Sequence, residues 1–419
     1  MKNLDKNTIT VFEHEAIHTT DNGKGKLTPN QLEALQKFSG DEGVPYFNLI
    51  HNGVKFCSYV GVLKVGQLNI EVLPKIDKKS DENKDHWKNL LIDMLKKVGM
   101  LDVSVSSETN LKIKKNSILD LYIEAFLVQV DKLIRQGLIK KYRKNEANCT
   151  ALKGKIVFSK HILKNITHKE RFYVKYTVYD RQHVLNQILY KTLQVIQNIA
   201  TTSILQSQIG TMLLSFPEMP YIRASENLFS NVVYNRKNES YRQALLISRM
   251  LLLNYHPDIN LGSNHIVALM FDMNLLWEKF VYVSLRRHFK EGKVESQRKK
   301  TYYMLNDKRV VNLKPDVVII KNGCRYVLDT KWKLPNNNKP GYSDLQQMYA
   351  YTKYFQSDHT ILCFPGNRDE FITGSFFNEV EGGIIYPCSI LRIALDSSLP
   401  VYKWQKNISE IIQHSLERF

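Results

Sequence analysis

The chain has 419 residues, of which 43% are hydrophobic and 24% charged, and its formal net charge of +18 favours a polyanionic partner such as nucleic acid. No apolar run approaches the roughly 20 residues that span a bilayer, and the opening "MKNLDKNTITVFEHE" lacks the apolar core of a secretory signal. The five cysteines include no CxxC pair, so neither a zinc site nor a disulfide framework is indicated, and a reducing cytoplasm is the expected location.

The first third of the chain predicts a small sheet between helices. The segment Thr28–Gln31 is a capping box with proline at the first helical position, which predicts a helix ending near Gly40. Residues 45–74 alternate strand-like runs with turn residues and predict a small antiparallel sheet. Helical periodicity then predicts one helix ending at Gly99 and another over 117–137.

The middle of the chain is expected to be largely helical. Residues 140–165 are basic and strand-prone, which indicates an extended arm or hairpin, and helices are predicted near 181–200 and 240–255. Residues 256–264, "HPDINLGSN", have the composition of a linker. We therefore expect an N-terminal α+β region over 1–260, with these parts: a β-rich block at 45–76, a helical block at 80–255 and the basic arm at 140–165.

The segment 261–419 has a compact α/β pattern. The predicted order is a helix over about 265–290, strands near 293–304, 309–320 and 325–332, a helix starting at a capping box of Ser343 and Gln346, and a strand at 359–365. This order allows the last strand to cross over and lie beside the preceding hairpin.

The sequence "KPDVVIIKNGCRYVLDTKWK" contains the strongest functional signal. If Asn322-Gly323 is a two-residue type I′ turn, Val318 is opposite Val327 and Asp316 is opposite Asp329. Opposed side chains project from the same face with Cβ atoms roughly 5 Å apart, and Lys331 shares that face.

Two carboxylates at such a distance repel each other, and a divalent cation would remove the conflict. Mg²⁺ prefers carboxylate oxygens and often binds one or two of them, while phosphate and water complete its coordination shell. Mn²⁺ is expected to substitute for it. Lys331 would then orient or deprotonate an attacking water, or stabilise charge on a phosphate. The alternative is that Lys331 forms a salt bridge on an exposed sheet face.

Residues outside the hairpin support the metal interpretation. Glu278 lies on the apolar stripe of a predicted helix, where an acid needs a partner, and it is a candidate third metal ligand. Gln347 and Tyr351 are four residues apart on one helix face and could contact a phosphate or a water. The alternatives are that Glu278 is a solvated acid and that Gln347 and Tyr351 are an ordinary polar or packing pair on a helix face.

Basic residues near this segment are candidates for phosphate contacts. They follow Glu278 along the chain: Arg286, Arg287, Arg298, Lys299 and Lys300 are the candidates for DNA binding, and Lys308 and Arg309 add to the positive charge nearby. Taken one at a time, each fits an exposed surface residue better than a phosphate contact.

Together, the motifs resemble the PD-(D/E)xK nuclease superfamily, in the branch with a QxxxY helix, and within it the McrC-like subunits of McrBC modification-dependent restriction systems. The blocks that carry the resemblance are "YVGVLKVGQLNIEVLPKI", "LKGKIVFSKHILKN", "YDRQHVLNQIL", "FDMNLLWEKFV", "LKPDVVI", "YVLDTKWK" and "DLQQMYAY". They occur in the family's order from about residue 45 to 365.

The resemblance implies a PD-(D/E)xK nuclease domain over 261–419, with a central mixed sheet flanked by helices. It implies that Asp316 and Asp329 bind Mg²⁺, with Glu278 as a further acid, and that Lys331, Gln347 and Tyr351 are catalytic. It also implies that the N-terminal region docks on a hexameric McrB-like AAA+ GTPase and stimulates its hydrolysis. Double-stranded, modified DNA would be the substrate, and two nuclease subunits could pair to cut it.

Two other functions remain compatible with the sequence. One is a non-catalytic adaptor that activates the AAA+ ring and holds DNA, although the complete acid–acid–lysine set argues against it. The other is a stand-alone DNA nuclease, which would not require so large an N-terminal half. The absence of a GxxxxGK[ST] motif indicates that the chain does not itself hydrolyse the nucleotide. The basic arm 140–165 is the candidate for an element that contacts the GTPase or inserts into its pore, and the alternatives are a DNA-contacting hairpin and a purely structural one. No role is assigned to residues after about 366.

Overall fold

A computed structural model describes residues 8–20, 26–75, 84–101, 117–256, 265–305, 308–333, 339–378, 383–395 and 399–418. The chain forms two compact units: unit 1 comprises Met1–Ile118 and Asp258–Phe419, and unit 2 comprises Leu119–Pro257. The predicted linker at 256–264 falls at the second boundary, but all of it after residue 256 lies outside the described residues. The first 118 residues group with the C-terminal part, which differs from the predicted division at residue 260.

The N-terminal part of unit 1 contributes strands to two sheets, whereas one small sheet was predicted for residues 45–74. Strands β2, β4 and β3 form an antiparallel sheet, while β6 pairs with β5 and, in parallel, with β1. The elements of this part are β1 (Thr8–Phe12), β2 (Ala16–His18), α1 (Pro29–Ser39), β3 (Phe47–Ile50), β4 (Gly53–Phe56), β5 (Tyr59–Val65), β6 (Leu68–Leu73) and α2 (Lys84–Lys97). The predicted capping box of α1 is confirmed, because Thr28 and Gln31 exchange side chain–backbone hydrogen bonds.

Unit 2 is mainly helical, with one antiparallel sheet. Its elements are α3 (Ile118–Gln136), which begins at the unit boundary, β7 (Lys141–Cys149), β8 (Lys155–Ile156), α4 (Phe158–Asn165), β9 (Phe172–Asp180), α5 (Val184–Ile199), α6 (Ser203–Ser215), α7 (Glu226–Ser230), α8 (Arg242–Leu253) and β10 (Tyr255–His256). The expectation of a hairpin within 140–165 is wrong, because β7 pairs with β9 from Lys141↔Asp180 to Cys149↔Phe172. The end of the basic arm forms α4 instead.

The C-terminal part of unit 1 contains the α/β pattern. Its elements are β11 (Ile266–Asp272), α9 (Met273–His288), β12 (Lys293–Ser296), β13 (Lys300–Leu305), β14 (Lys308–Leu313), β15 (Val317–Lys321), β16 (Cys324–Thr330), α10 (Tyr342–Phe355), β17 (His359–Gly366), β18 (Glu370–Ile372), β19 (Ser375–Asn378), β20 (Ile384–Ala394) and α11 (Val401–Leu416). Among all the residues of the chain that the structure describes, no helix is long and apolar enough to cross a membrane.

The main sheet of this part is mixed, as expected. Its strand order is β12-β15-β16-β17-β20-β18, and β19 pairs with β20. The β15–β16 hairpin is antiparallel, whereas β17 crosses over and lies parallel to β16, as predicted. Helix α10 covers one face of the hairpin, where Val318 and Val327 form a cluster with Met348 and Phe355.

The segment after residue 366, to which the sequence assigned no role, completes this sheet. Strand β20 extends the parallel part beside β17, and β18 pairs with the outer side of β20. Helix α11 packs on α9, with the Trp404 ring centroid 4.5 Å from that of Phe280. The tail therefore has a structural role in burying α9.

One predicted helix start and one predicted capping box are wrong. Residues Ile266–Asp272 form β11 and not the start of a helix, because a short apolar run does not distinguish a strand from a helix. The β11 strand pairs with β5, which joins the N-terminal strands to the C-terminal part within unit 1. Helix α10 begins at Tyr342 with Gly341 as its N-cap, and the capping box of Ser343 and Gln346 does not form.

A buried glutamate connects the end of β1 to the segment that follows Lys331. Glu13 is 2% exposed, and its Oε1 accepts hydrogen bonds from the backbone N–H of Lys75 at 2.8 Å and from the Trp332 indole at 2.7 Å. Burial raises the pKa of Glu13 to about 7, and the negative charge of Asp272 adds to this effect. These contacts hold the chain immediately after Lys331.

We expect the Glu13→Gln variant to change the pH dependence of stability. Because the folded-state pKa is raised, the carboxyl favours folding most when protonated, and this contribution is lost as the pH rises through about 7. At pH 8 the free energy of unfolding of the variant should therefore exceed that of the wild type by on the order of 3 kcal/mol or less. At pH 5 the difference should be much smaller. Urea unfolding at both pH values measures this difference. Glu33→Gln on the surface is the control, and a gain that does not vary with pH would contradict the prediction.

Candidate functional site

The β15–β16 hairpin has the predicted turn and register. Asn322 and Gly323 have φ values of 52° and 84°, as a type I′ turn requires. Val317 is paired with Leu328 and Val318 with Val327. This register places Asp316, just before β15, beside the end of β16, where Asp329 lies.

The two acids are held by different contacts. Oδ2 of Asp316 accepts hydrogen bonds from the Thr330 backbone N–H at 2.7 Å and from the Thr330 hydroxyl at 2.8 Å. Asp329 is 1% exposed and lies on β16, and its Oδ2 is 2.7 Å from Nζ of Lys331. The charge of Asp316 acts on Asp329 strongly enough to raise its pKa, so the two carboxylates belong to one site.

Burial and like charge both disfavour the ionised acids. Burial raises the pKa of Asp316 against the opposing effect of its Thr330 hydrogen bonds. Burial and then the charge of Asp316 raise the pKa of Asp329 to about 6, against the opposing effect of Lys331. A positive charge placed between these carboxylates would be stabilised by both.

Lys331 is half-buried and links the acids to helix α10. Burial lowers the pKa of this amine, but the charges of Asp329 and Asp316 outweigh burial and raise the pKa above its ordinary value. Its Nζ donates a hydrogen bond to Oε1 of Gln347 at 3.0 Å. The salt bridge considered from sequence therefore exists, but it lies in a buried cluster and not on an exposed sheet face.

Gln347 and Tyr351 continue the same chain of hydrogen bonds. Nε2 of Gln347 donates to the Tyr351 hydroxyl at 2.7 Å, and that hydroxyl donates to the Lys314 carbonyl at 3.1 Å. Burial raises the pKa of Tyr351, which keeps it protonated and able to donate. This series of hydrogen bonds ends at the carbonyl of Lys314, two residues before Asp316, and therefore connects both ends of the predicted site.

Glu278 faces the site from helix α9, and its partner was not predicted from the sequence. Oε1 of Glu278 accepts a hydrogen bond from Nε2 of Gln297 at 3.1 Å. Burial and then the charge of Asp316 raise the pKa of Glu278. Gln297 has a φ of 54°, unusual for a residue with a side chain, and its backbone N–H donates to the Asp316 carbonyl at 3.3 Å. Nothing local in the sequence marks Gln297, because its contacts are with residues distant along the chain.

The donor set fits Mg²⁺. Asp316 and Asp329 supply hard carboxylate oxygens whose negative charges are incompletely compensated. Within the described ranges no three His, Cys, Asp or Glu side chains are arranged to hold a metal, so Glu278 does not complete a ready-made cage with them. Mg²⁺ often takes only one or two carboxylates and keeps water and phosphate as its other ligands, so two acids suffice.

The predicted DNA-binding residues have varied surroundings. Arg286 and Arg287 are exposed in the last turn of α9, and Lys299 is exposed before β13. Arg298 lies 3.5 Å from Glu295, whereas Nζ of Lys300 donates to the Tyr354 carbonyl at the end of α10 at 2.6 Å. Lys300 therefore has a structural contact.

Two solved structures from Thermococcus gammatolerans are similar to this chain. The first is the refined half-complex from the tetradecameric assembly of McrB AAA+ hexamers with bound McrC, with a TM-score of 0.71 and 20% identity over 97% of this chain and 100% of the other. The second is the cryo-EM structure of the McrBC complex, with a TM-score of 0.50 and 20% identity over 67% and 87% of the two chains. At this identity the similarity shows a shared fold.

No match was found among curated proteins. The family described as "McrBC 5-methylcytosine restriction system component" matches residues 54–365, most of the chain and all of the hydrogen-bonded cluster described above. The chain therefore belongs to the McrBC 5-methylcytosine restriction system component family.

Proposed function

We propose that this chain is the Mg²⁺-dependent DNA endonuclease subunit of a McrBC-type restriction complex and that it acts in the cytoplasm. The observation that carries the proposal is the buried cluster in which Asp316, Asp329 and Lys331 interact at the end of one hairpin. A salt bridge for stability alone would not require a second buried acid that raises the pKa of the first.

Asp316 and Asp329 would hold the cation, which when bound would supply charge neutralisation and polarise the scissile phosphate. Lys331 has an amine that can donate to a phosphate oxygen or position the attacking water. Gln347 holds this amine through a 3.0 Å hydrogen bond, and Tyr351 holds Gln347. Their role is to fix the direction of the lysine relative to the acids.

We further propose that the partner of this chain is a hexameric AAA+ GTPase whose hydrolysis the chain stimulates. Family membership supports this, because the McrC of Thermococcus gammatolerans is bound to McrB AAA+ hexamers. The adaptor function without catalysis is the second candidate, and it predicts GTPase stimulation without cleavage. Pairing of two copies to cut both strands of modified DNA belongs to the same proposal.

The basic arm of unit 2 is the proposed contact with the GTPase. Its short helix α4 and the following residue expose four large apolar side chains, with exposed fractions of 67% for Phe158, 61% for Ile162, 81% for Leu163 and 73% for Ile166. Such a cluster is unusual on a monomer surface and is typical of a protein interface.

Asp329→Ala or Lys331→Ala should reduce the rate of DNA cleavage by at least about a thousandfold, because each removes a charge that the transition state requires. The measurement is plasmid cleavage by the chain assembled with its AAA+ partner, with GTP and Mg²⁺. Stimulation of GTPase activity should remain. The matched control is Lys333→Ala, an exposed lysine two residues away that pairs with Asp344 at 2.6 Å.

Normal cleavage by either variant would refute the assignment of these residues. Wild-type stimulation of GTP hydrolysis without any cleavage would favour the adaptor function instead.

Gln297→Ala should raise the Mg²⁺ concentration required for half-maximal cleavage by about 10-fold, because Gln297 orients Glu278, the proposed further acid, which would accept hydrogen bonds from the water ligands of the cation. The readout is the Mg²⁺ dependence of the rate, and not the rate at one concentration. Glu295→Ala, two residues away, is the control. An unchanged Mg²⁺ requirement in the Gln297 variant would show that this hydrogen bond has no part in the site.

Leu163→Asp should reduce stimulation of the partner's GTPase by about 10-fold, since a charge would be placed in an apolar contact. The fold should tolerate the change because the side chain is 81% exposed. Leu214→Asp, at a side chain 90% exposed on α6, is the matched control. Equal GTPase stimulation by the two variants would rule out α4 as the contact.

A further inference from the structure

The two strands that follow Gln297 form a ribbon apart from the main sheet. Strands β13 and β14 pair antiparallel with each other, and among the strands described here neither pairs with another. We call residues 298–305 and 308–314 the ribbon. Its register shifts near Tyr303, so the strands are bulged and locally more twisted than a regular pair.

Both ends of the ribbon are attached to the candidate site. The residue before it is Gln297, which donates to Glu278, and the chain after it leads through Pro315 to Asp316. The Gln297 N–H and the Asp316 carbonyl close the base of the ribbon at 3.3 Å. A ligand that lies in the site therefore lies beside the base of the ribbon.

Helix α10 supports one side of the ribbon. Lys300 donates to the Tyr354 carbonyl, and the ring of Tyr302 lies edge-on to that of Tyr354 with centroids 5.1 Å apart. Leu313 packs against the cluster under α10. The base of the ribbon is thus fixed on the same helix that carries Gln347 and Tyr351.

Beyond this base, the ribbon exposes large apolar side chains. The exposed fractions are 48% for Tyr302, 51% for Tyr303, 51% for Met304, 52% for Leu305 and 44% for Val311. Consecutive exposure of this kind is costly in water, and it indicates a surface that is covered when a partner binds.

The charge of the ribbon identifies the class of partner. Residues 298–314 contain six Lys or Arg, at 298, 299, 300, 308, 309 and 314, and one acid at 307. A second copy of the chain would bring the same positive charge against it, which disfavours self-pairing. A polyanion with grooves lined by sugars and base edges would satisfy both the charge and the apolar side chains.

We propose that the ribbon is a DNA-contacting element that lies in a groove of the duplex next to the scissile phosphate. Arg298, Lys299 and Lys314, which are exposed, contact phosphates, while Tyr303 and Leu305 contact sugars and base edges. The inference rests on the proposed function, since it takes duplex DNA as the ligand of the adjacent acids. It adds a named surface that positions the duplex and does not itself react.

The test is duplex binding by the full chain, alone and assembled with its AAA+ partner, with Ca²⁺ in place of Mg²⁺ to prevent cleavage. We expect Tyr303→Ala combined with Leu305→Ala to weaken binding of a fluorescein-labelled duplex by about 10-fold or more, because the double variant removes both side chains that contact sugars and base edges in the groove. Tyr402→Ala on α11, at a side chain 54% exposed, is the matched control and should bind as the wild type does. Thermal unfolding checks that both variants are folded.

Unchanged affinity in the double variant overturns the inference, as does a wild-type chain that does not bind the duplex. A variant that changes from dimer to monomer in sedimentation and keeps its affinity for DNA also overturns it, because the ribbon would then join two copies. Cleavage in Mg²⁺ is measured separately. If the double variant binds DNA more weakly but the wild type does not cleave, the nuclease function is refuted and the role of the ribbon in DNA binding is retained. If the wild type cleaves but the double variant binds DNA as the wild type does, the nuclease function is retained and the role of the ribbon is refuted.

Discussion

The site depends on the repulsion between two carboxylates that the hairpin forces into a buried position. Asp329 is almost fully buried, and its pKa rises to about 6 because of burial and the nearby charge of Asp316. The positive charge of Lys331 compensates only part of the free-energy cost of burying these two negative charges close together. In the proposed nuclease a divalent cation would compensate the remainder, so the arrangement that destabilises the two ionised acids would favour its binding. This is a common way in which folded proteins prepare a reactive site.

The constraint is maintained by contacts from distant parts of the chain. Thr330 holds Asp316, and helix α10 holds Lys331 through Gln347 and Tyr351. On the other side of the segment, Glu13 holds the indole of Trp332. Strand β11 joins the N-terminal strands to this part of the chain, which explains why the first 118 residues and the C-terminal part form one unit.

The two units differ in the kind of surface that they expose. Unit 1 contains the buried acids and the lysine and exposes the apolar side chains of the ribbon, whereas unit 2 exposes the apolar side chains of the basic helix α4. This difference supports the proposed separation of DNA cleavage from contact with the GTPase. A fold shared at 20% identity with a chain from a McrB–McrC assembly indicates that the framework tolerates extensive substitution.

The register of the hairpin and the identity of its chemical groups could be predicted from the sequence, because they depend on short-range geometry. Asn322-Gly323 favours one turn type, and that turn determines which residues are opposite each other. The four-residue spacing of Gln347 and Tyr351 likewise determines that they share a helix face. The capping box at Thr28 and the crossover to β17 follow from similarly local signals.

The contacts between residues far apart along the chain could not be predicted in this way, because they depend on how the whole chain packs. The pairing of β11 with β5, the contact of Gln297 with Glu278 and that of Glu13 with Trp332 have no local signature. The apolar run at 266–272 illustrates the reason. Its periodicity suits a helix or a strand, and the partner strand β5, about two hundred residues earlier, determines which forms. The sequence alone therefore determined the chemistry of the hairpin, and long-range packing determined its burial, its electrostatics and its supporting residues.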